Sequence, residues 1–220
     1  MPLPDVPTGP QPDADASGRA ARLAATPGLQ RQLGFLLEID RLKTVLRQTL
    51  LLDGSRREND AEHSWHLAMM ALVLAEHAAG PLDLGRTLQL LLVHDVVEID
   101  AGDAFAYDEA ARRAKPAREA AAAARLFGLL PSADGARLHA LWAEFEARRT
   151  PEARFAASLD RLQPLLHNFC TAGASWKAHG VTRAQVLAWN RPSVDAAPAL
   201  WELTLRLIDE AVARGYLAAD

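Results

Sequence analysis

The sequence predicts an all-α fold, a single helical domain of about seven or eight helices. Three observations carry that prediction. Apolar residues recur close to a 3.6-residue period from about Thr26 onward. No alternating Val/Ile/Thr run bounded by turns marks a strand. Asn, Thr, Pro and Gly stand where helices should begin and end. The chain has 220 residues, 50% of them hydrophobic, which supports one sizeable core and would cramp two.

Residues 1–26 are rich in Pro, Asp, Ala and Gly and lack aromatics, the composition of a disordered tail; 27–220 form the helical domain. The stretch "TPGLQRQLGFLLEIDRLKTVLRQTLL" is helical by period, with Leu29, Leu33, Leu36, Leu37, Leu42, Val45 and Leu46 on one side and Pro27 in its first turn. "DGSRREND" is a polar loop. Asn59 and Glu62 form a capping box opening a helix from about Ala61 to His77. Another runs from about Asp83 to Ile99, and "DAGDAFAYD" is a loop turning at Gly102. "EAARRAKPAREAAAAARLFGLL" is helical, with Pro116 marking a kink or a second start. "PSADGARLHALWAEFEARRT" gives the next. Pro151 opens a long helix to about Lys177, closed by "HG" at 179–180. Thr182 and Gln185 repeat the capping box, and the last helix covers about 197–214.

Composition narrows the function. The net charge is −4 with both signs interspersed, so no basic stripe offers a nucleic-acid polymer a track. The single cysteine, Cys170, makes an intrachain disulfide and a thiolate metal cage impossible, and fits a reducing cytoplasm. No apolar run approaches the roughly 20 residues that span a bilayer, and the prolines near the start leave no signal-peptide core.

The chemistry starts at "LLLVHDVVEID", residues 90–100. A run of leucines and valines belongs in a core, yet it carries His94, Asp95 and, one turn on, Glu98. Burying such groups without partners costs several kcal/mol, so something must satisfy them. Helical spacing puts them on neighbouring parts of one face. Two further polar residues stand on apolar helices: His63 in "AEHSWH", and Asp160 in "FAASLDRLQPLL". Each taken singly reads equally as a capped, hydrogen-bonded or ion-paired core residue. As an ordered set they offer two imidazoles and two carboxylates to one cation.

The pattern His63…His94-Asp95…Asp160 resembles the HD-domain metal-dependent phosphohydrolase superfamily. The strings "RLKTVLRQ", "RENDAEHSWHLAMMA", "LLLVHDVVEIDAGDAFAYD" and "LDRLQPLLHNF" resemble its bacterial 5′-deoxynucleotidase branch, over roughly residues 30–190. The resemblance implies an HD-type bundle in which His63, His94, Asp95 and Asp160 bind one divalent cation. The N/O donor set suits Mn, Co, Fe, Zn or Mg. It implies Glu98 as the catalytic glutamate, whose alternative is an i,i+4 partner orienting His94. It implies Arg47 as the phosphate clamp rather than a solvated helix-face arginine. Asp103 matches an acidic active-site residue that touches the sugar or assists proton transfer, although an aspartate after glycine is also an ordinary turn residue. The implied reaction is hydrolysis of a nucleoside or deoxynucleoside 5′-monophosphate by a metal-bound water.

Gln48 departs from the aromatic that follows the phosphate arginine in some deoxynucleotidases. His66, three residues after His63, reaches substrate or a second metal, or is a rim or core histidine. Trp65 packs, His167 is a core or supporting histidine, Pro164 kinks its helix, and Cys170 is a small buried hydrophobe; Trp176 and Lys177 touch a base or phosphate at the pocket mouth or, as the favoured reading, belong to the surface. Two rivals stand beside the leading reading. One keeps the metal and cleaves nucleoside di- or triphosphates or another small phosphate ester, with Lys43, Arg56 and Arg57 as extra cations. The other is a nucleotide-sensing protein without turnover. The partners expected are a small-molecule nucleotide, no membrane, and a second copy of the chain, since the family tends toward homodimers.

Overall fold

The computed structural model describes residues 15–220, and among them the architecture is the expected all-α one. In chain order the elements are α1 (Ala16–Arg22), α2 (Pro27–Glu38), a 3₁₀ turn (Ile39–Thr44), β1 (Leu46–Leu50), β2 (Arg57–Asn59), α3 (Asp60–Leu74), a 3₁₀ turn (Ala75–His77), α4 (Leu84–Val93), α5 (Glu98–Ala101), α6 (Glu109–Phe127), α7 (Ser132–Ala147), α8 (Pro151–Cys170), α9 (Ala174–Ala178), α10 (Arg183–Asn190), a 3₁₀ turn (Arg191–Ser193) and α11 (Pro198–Ala213). Eight helices among the described residues are eight residues or longer. None is long and apolar enough to cross a membrane.

Helix α8 is the hub. It packs against α3, α4, α7, α10 and α11, and Phe155, Leu159, Leu162 and Leu165 lie in the core with Leu67, Leu90, Leu91, Leu141 and Ile208. Being covered on nearly every side makes α8 a rigid place to mount a polar residue. The predicted caps are present. Thr26 accepts from the Leu29 N–H, and Asn59/Glu62 and Thr182/Gln185 close full capping boxes. Pro116 sits inside α6 without ending it.

Four expectations need correction. The helix read through residue 51 stops at Glu38, and Leu46–Leu50 pairs antiparallel with Arg57–Asn59, Leu46 opposite Asn59 and Leu50 opposite Arg57. The β-branched Thr44, Val45 and Thr49 favour extended backbone, and the turn at Asp53–Gly54, with Gly54 at φ +70°, lets the chain return. The helix expected over 83–99 breaks after Val93. Val96 N–H bonds Val93 O and Glu98 N–H bonds Asp95 O, three-residue spacings that tighten the chain between α4 and α5. The long helix from Pro151 ends at Cys170. Gly173, at φ +72°, then starts α9 where any Cβ would run into the Tyr216 carbonyl. Of the tail expected over 1–26, residues 1–14 lie outside the described residues. Ala16–Arg22 is helical as α1 and buries nothing, because its apolar residues are mostly alanine.

Smaller corrections concern single residues. Trp65 is 63% exposed, Trp176 is buried in the core, and Cys170 is exposed.

Candidate metal centre and its cavity

His63 projects from the first turns of α3, Asp160 from the middle of α8, and His94 and Asp95 from the corner between α4 and α5. These segments are far apart in sequence, and they bring the four side chains to one point. His63 Nε2 lies 3.0 Å from Asp160 Oδ1 and 3.9 Å from Asp95 Oδ2. His94 Nε2 lies 3.1 Å from Asp95 Oδ1 and 3.9 Å from Asp160 Oδ1. His63 and His94 are almost wholly buried, and Asp160 opens slightly to the cavity.

The hydrogen bonds behind the imidazoles decide what they offer. His94 Nδ1 lies 2.8 Å from the Leu91 carbonyl, which can only accept, so Nδ1 carries a proton. His63 Nδ1 faces Gln163 Oε1 at 3.2 Å, again an acceptor. Each ring then turns the Nε2 lone pair of its neutral form toward the carboxylates of Asp95 and Asp160. His94 Nε2 is buried without a hydrogen-bond partner. Acceptors facing acceptors require something positive between them, either protons or a cation. The proton affinities agree. Burial opposes the charged form of His94, but Asp95 and Asp160 raise its pKa well above the ordinary imidazole value. Burial and Arg47 oppose protonation of His63, and Asp160 and Glu58 overcome them. Asp160 is held well below the carboxylate range by His63 and His94 despite its desolvation. The donor set fits a divalent transition or alkaline-earth cation, with protons as its competitors.

Beside this cluster lies a second acidic layer. Arg47, at the start of β1, places Nη1 3.1 Å from Asp95 Oδ2 and 3.4 Å from Asp60 Oδ1. Burial and the neighbouring charges of Asp95 and Glu98 push the Asp60 carboxyl up to about 10. Glu98, on α5, is buried too; desolvation and Asp95 raise it to about 7, against the pull of Lys115, whose Nζ is 3.1 Å from Glu98 Oε1. Lys115 also meets Glu119 at 3.1 Å. Asp103, on the loop after α5, is raised by burial, with Arg47 opposing. Arg47, Gln48, Asp95, Glu98, Asp103 and Asp160 share one cavity of about 220 Å³. Its walls also carry Phe105, Tyr107, Trp189 and three arginines, Arg112, Arg148 and Arg161.

Seven of the eight residues singled out from the sequence thus meet at one place. His66 does not. It faces Glu58, Gln163 and His167 on the other side of His63, and it does not line the cavity. The i,i+3 step from His63 turns it about 60° around α3. Glu58, Asp60, Gln163 and Lys115 were missed. Gln163 had a signal, because Asp160, Gln163 and His167 recur at helical spacing on one face of α8. Glu58 and Asp60 had none without the β-hairpin, and Lys115 none without the packing of α6 on α5.

Residues 39–201 match the family model described as HD domain. The 5′-deoxynucleotidase HDDC2 of Bos taurus is 33% identical over 156 residues, 70% of this chain and 71% of that protein. Its namesake from Homo sapiens is 31% identical over 140 residues, 63% and 67% of the two chains. The crystal structure titled as a predicted metal-dependent phosphohydrolase from Magnetospirillum magnetotacticum is 58% identical, with a TM-score of 0.83 over 87% of this chain and 96% of that one. A conserved hypothetical protein from Pyrococcus furiosus, 19% identical with a TM-score of 0.53 over 81% and 98% of the two chains, shares the fold.

Proposed function

The chain belongs to the HD-domain family, and from that premise we propose that it hydrolyses nucleoside 5′-monophosphates, deoxynucleotides among them, to nucleoside and phosphate. The observation that carries the reading is the meeting of four acceptor side chains: His94, Asp95 and Asp160 line a cavity that also holds Arg47 and Glu98, and His63 stands buried against Asp160. Those four would hold one divalent cation, which would supply Lewis acidity toward water and the phosphoryl oxygens. The relatives, named 5′-deoxynucleotidase and predicted metal-dependent phosphohydrolase, support the same chemistry.

The remaining steps belong to side chains. Arg47 sits beside Asp95 and presents a guanidinium, always charged, to the phosphate end of the cavity. Its position is fixed by Asp60 as well as Asp95, so it orients substrate without searching for it. Glu98, buried and raised above the ordinary carboxylate value by desolvation and Asp95, is the group placed to exchange a proton. It takes the proton of the attacking water or gives one to the departing 5′-oxygen, and Lys115 keeps its carboxylate form accessible. Water adds to phosphorus, the bond to the 5′-oxygen breaks, and that oxygen leaves protonated. Asp103 faces the same cavity, where it would touch the sugar or assist proton transfer. Gln48 lines it where an aromatic would narrow the sugar pocket, so the deoxyribose preference is to be read from paired deoxy and ribo substrates.

The test is phosphate release from a panel of 2′-deoxynucleoside and ribonucleoside 5′-monophosphates by protein treated with chelator and reloaded with Mn or Co. Activity that is absent after chelation and returns with metal is expected. Glu98→Ala should keep the metal and lose turnover; a fully active variant would remove Glu98 from the mechanism.

A cytoplasmic homodimer completes the reading. Trp65, Met69, Leu72 and Val73 leave an apolar stripe exposed along α3, which a second copy would cover. Sedimentation of the wild type and of Trp65→Lys, expected dimeric and monomeric respectively, tests it.

A further inference from the structure

We propose that Arg112, Arg148 and Arg161 form a second anion subsite, and that the preferred substrate carries a phosphoryl group besides the one that is cleaved. This rests on the hydrolase reading above and adds a substrate class to it.

The three arginines come from three elements. Arg112 is in the second turn of α6, Arg148 follows the end of α7, and Arg161 follows Asp160 on α8. One residue along a helix turns about 100°, so Arg161 leaves the metal cluster for the adjoining wall. There its guanidinium carbon lies 5.3 Å from the centre of the Trp189 ring, and that of Arg112 lies 4.9 Å from the same centre. All three line the cavity that holds Arg47 and Asp160. They also line its continuation, a cleft of about 400 Å³ bounded by Tyr107, Gln185 and Trp189.

What these arginines lack is the telling feature. Arg161 is 5% exposed, and the Nε atoms of Arg148 and Arg161 are buried with no acceptor. Asp160 and Glu146 act on Arg161 only through space. Arg47, also on this cavity, sits within 3.4 Å of two carboxylates, whereas no carboxylate among the described residues bonds Arg161. Two like charges flank the Trp189 ring and a third lines the same wall, and one of the three, Arg161, is deeply buried, which is costly without a counter-charge. An anion with several acceptor oxygens supplies the missing counter-charge, and the guanidinium fork suits a phosphoryl group. The scissile phosphate is already served by the cation and Arg47. The anion at the arginine wall is therefore a second one on the same molecule.

That group could hang from the far side of the sugar or extend the 5′ chain, and three substrates separate the sources. Mn-loaded protein is given 2′-deoxyadenosine 5′-monophosphate, 2′-deoxyadenosine 3′,5′-bisphosphate and 2′-deoxyadenosine 5′-triphosphate. At least one of the two richer nucleotides is expected to show a KM at least about tenfold below the monophosphate, the scale of one charge-assisted contact. A win for the bisphosphate places the group on the sugar; a win for the triphosphate places it on the chain. Arg148→Gln and Arg112→Gln should each erase most of the advantage while monophosphate kinetics stay within about twofold. Arg161→Gln is the third variant, and the first two carry the test if it does not fold. Binding of the same three nucleotides to Mn-loaded Glu98→Ala protein reads the subsite without turnover, so a failed hydrolase reading and a failed subsite give different results. Equal KM and equal binding for all three nucleotides, or an advantage that survives in Arg112→Gln/Arg148→Gln, overturns the proposal.

Discussion

Helices α3 and α8 build two polar clusters side by side from nearly the same parts. On one side of His63, two imidazoles and two carboxylates converge with only acceptors facing inward. On the other side, His66, His167 and Glu58 converge in the same way, but the Gln163 amide nitrogen occupies the middle, 2.6 Å from Glu58 Oε1, 3.0 Å from His167 Nε2 and 3.3 Å from His66 Nδ1. One cluster brings its own donor and is closed. The other has no donor between its imidazoles and carboxylates, Arg47 reaching only Asp95 Oδ2, and is open to a cation. Residue types and helical spacing are shared, so neither separates a metal centre from a buried hydrogen-bond network; the internal amide does. Gln163 also links the two, because its oxygen faces His63 Nδ1 and holds that ring in the form that offers Nε2 to the metal side.

The sharpest way to break the contrast is to remove a member of the open cluster. Asp160→Ala should abolish bound metal and lower kcat/KM by at least about a thousandfold, since the reaction loses its principal electrostatic help. Metal analysis and phosphate release on the same preparation check this together. Next in size is Gln163→Leu. Releasing His63 from its acceptor should weaken metal affinity by about 10–100-fold, read by competition with a chelating dye. The same change leaves Glu58 and His167 without their donor and should cost about 1–3 kcal/mol in urea unfolding. His167→Phe, confined to the closed cluster, should lower stability by a similar amount and leave metal content unchanged. A loss of metal there would merge the two clusters into one.

The smallest effect belongs to a surface network that serves as the reference. Arg125 bridges Glu38 and Asp100, at 2.7 Å from Glu38 Oε1, with Arg41 alongside at the same distance. Bonds to Arg125 and Arg41 outweigh the slight burial of Glu38 and lower its pKa below the ordinary 4.5. A depressed carboxylate contributes stability above its unfolded pKa and loses it as pH falls through the folded one. Arg125→Ala should therefore cost at most about 1 kcal/mol at pH 7, since the groups are largely solvated, and the gap to wild type should close below about pH 4. Urea melts across pH 3–7 measure it.

How far the site could be read from the sequence follows from what each residue does. His94, Asp95 and Glu98 stood out because they interrupt a leucine-valine run, and Asp160 because α8 is apolar around it. Their meeting with His63 and Arg47 matched the family pattern. The two readings of His66, substrate contact and core histidine, stayed open because spacing along α3 gives a neighbour of His63 without saying which side of the ring it joins. The helix expected through Leu46 failed because a 3.6 period in leucines persists by chance into a strand, and only the returning partner Arg57–Asn59 decides the backbone. Trp176 was assigned to the surface and lies in the core, because the Gly173 break between α8 and α9 turns it inward.

By itself the sequence determined the helical class, the caps, the core face of α8 and the candidate ligands, all of which depend on neighbours within a few residues. Only the tertiary structure decided which acceptors face each other, that Gln163 closes one cluster and not the other, and that three arginines share a wall with no carboxylate among the described residues bonded to any of them. Those facts depend on distances between segments up to 100 residues apart, such as His63 and Gln163, and the energy of a buried charge is set by what lies across the gap rather than by what precedes it in the chain.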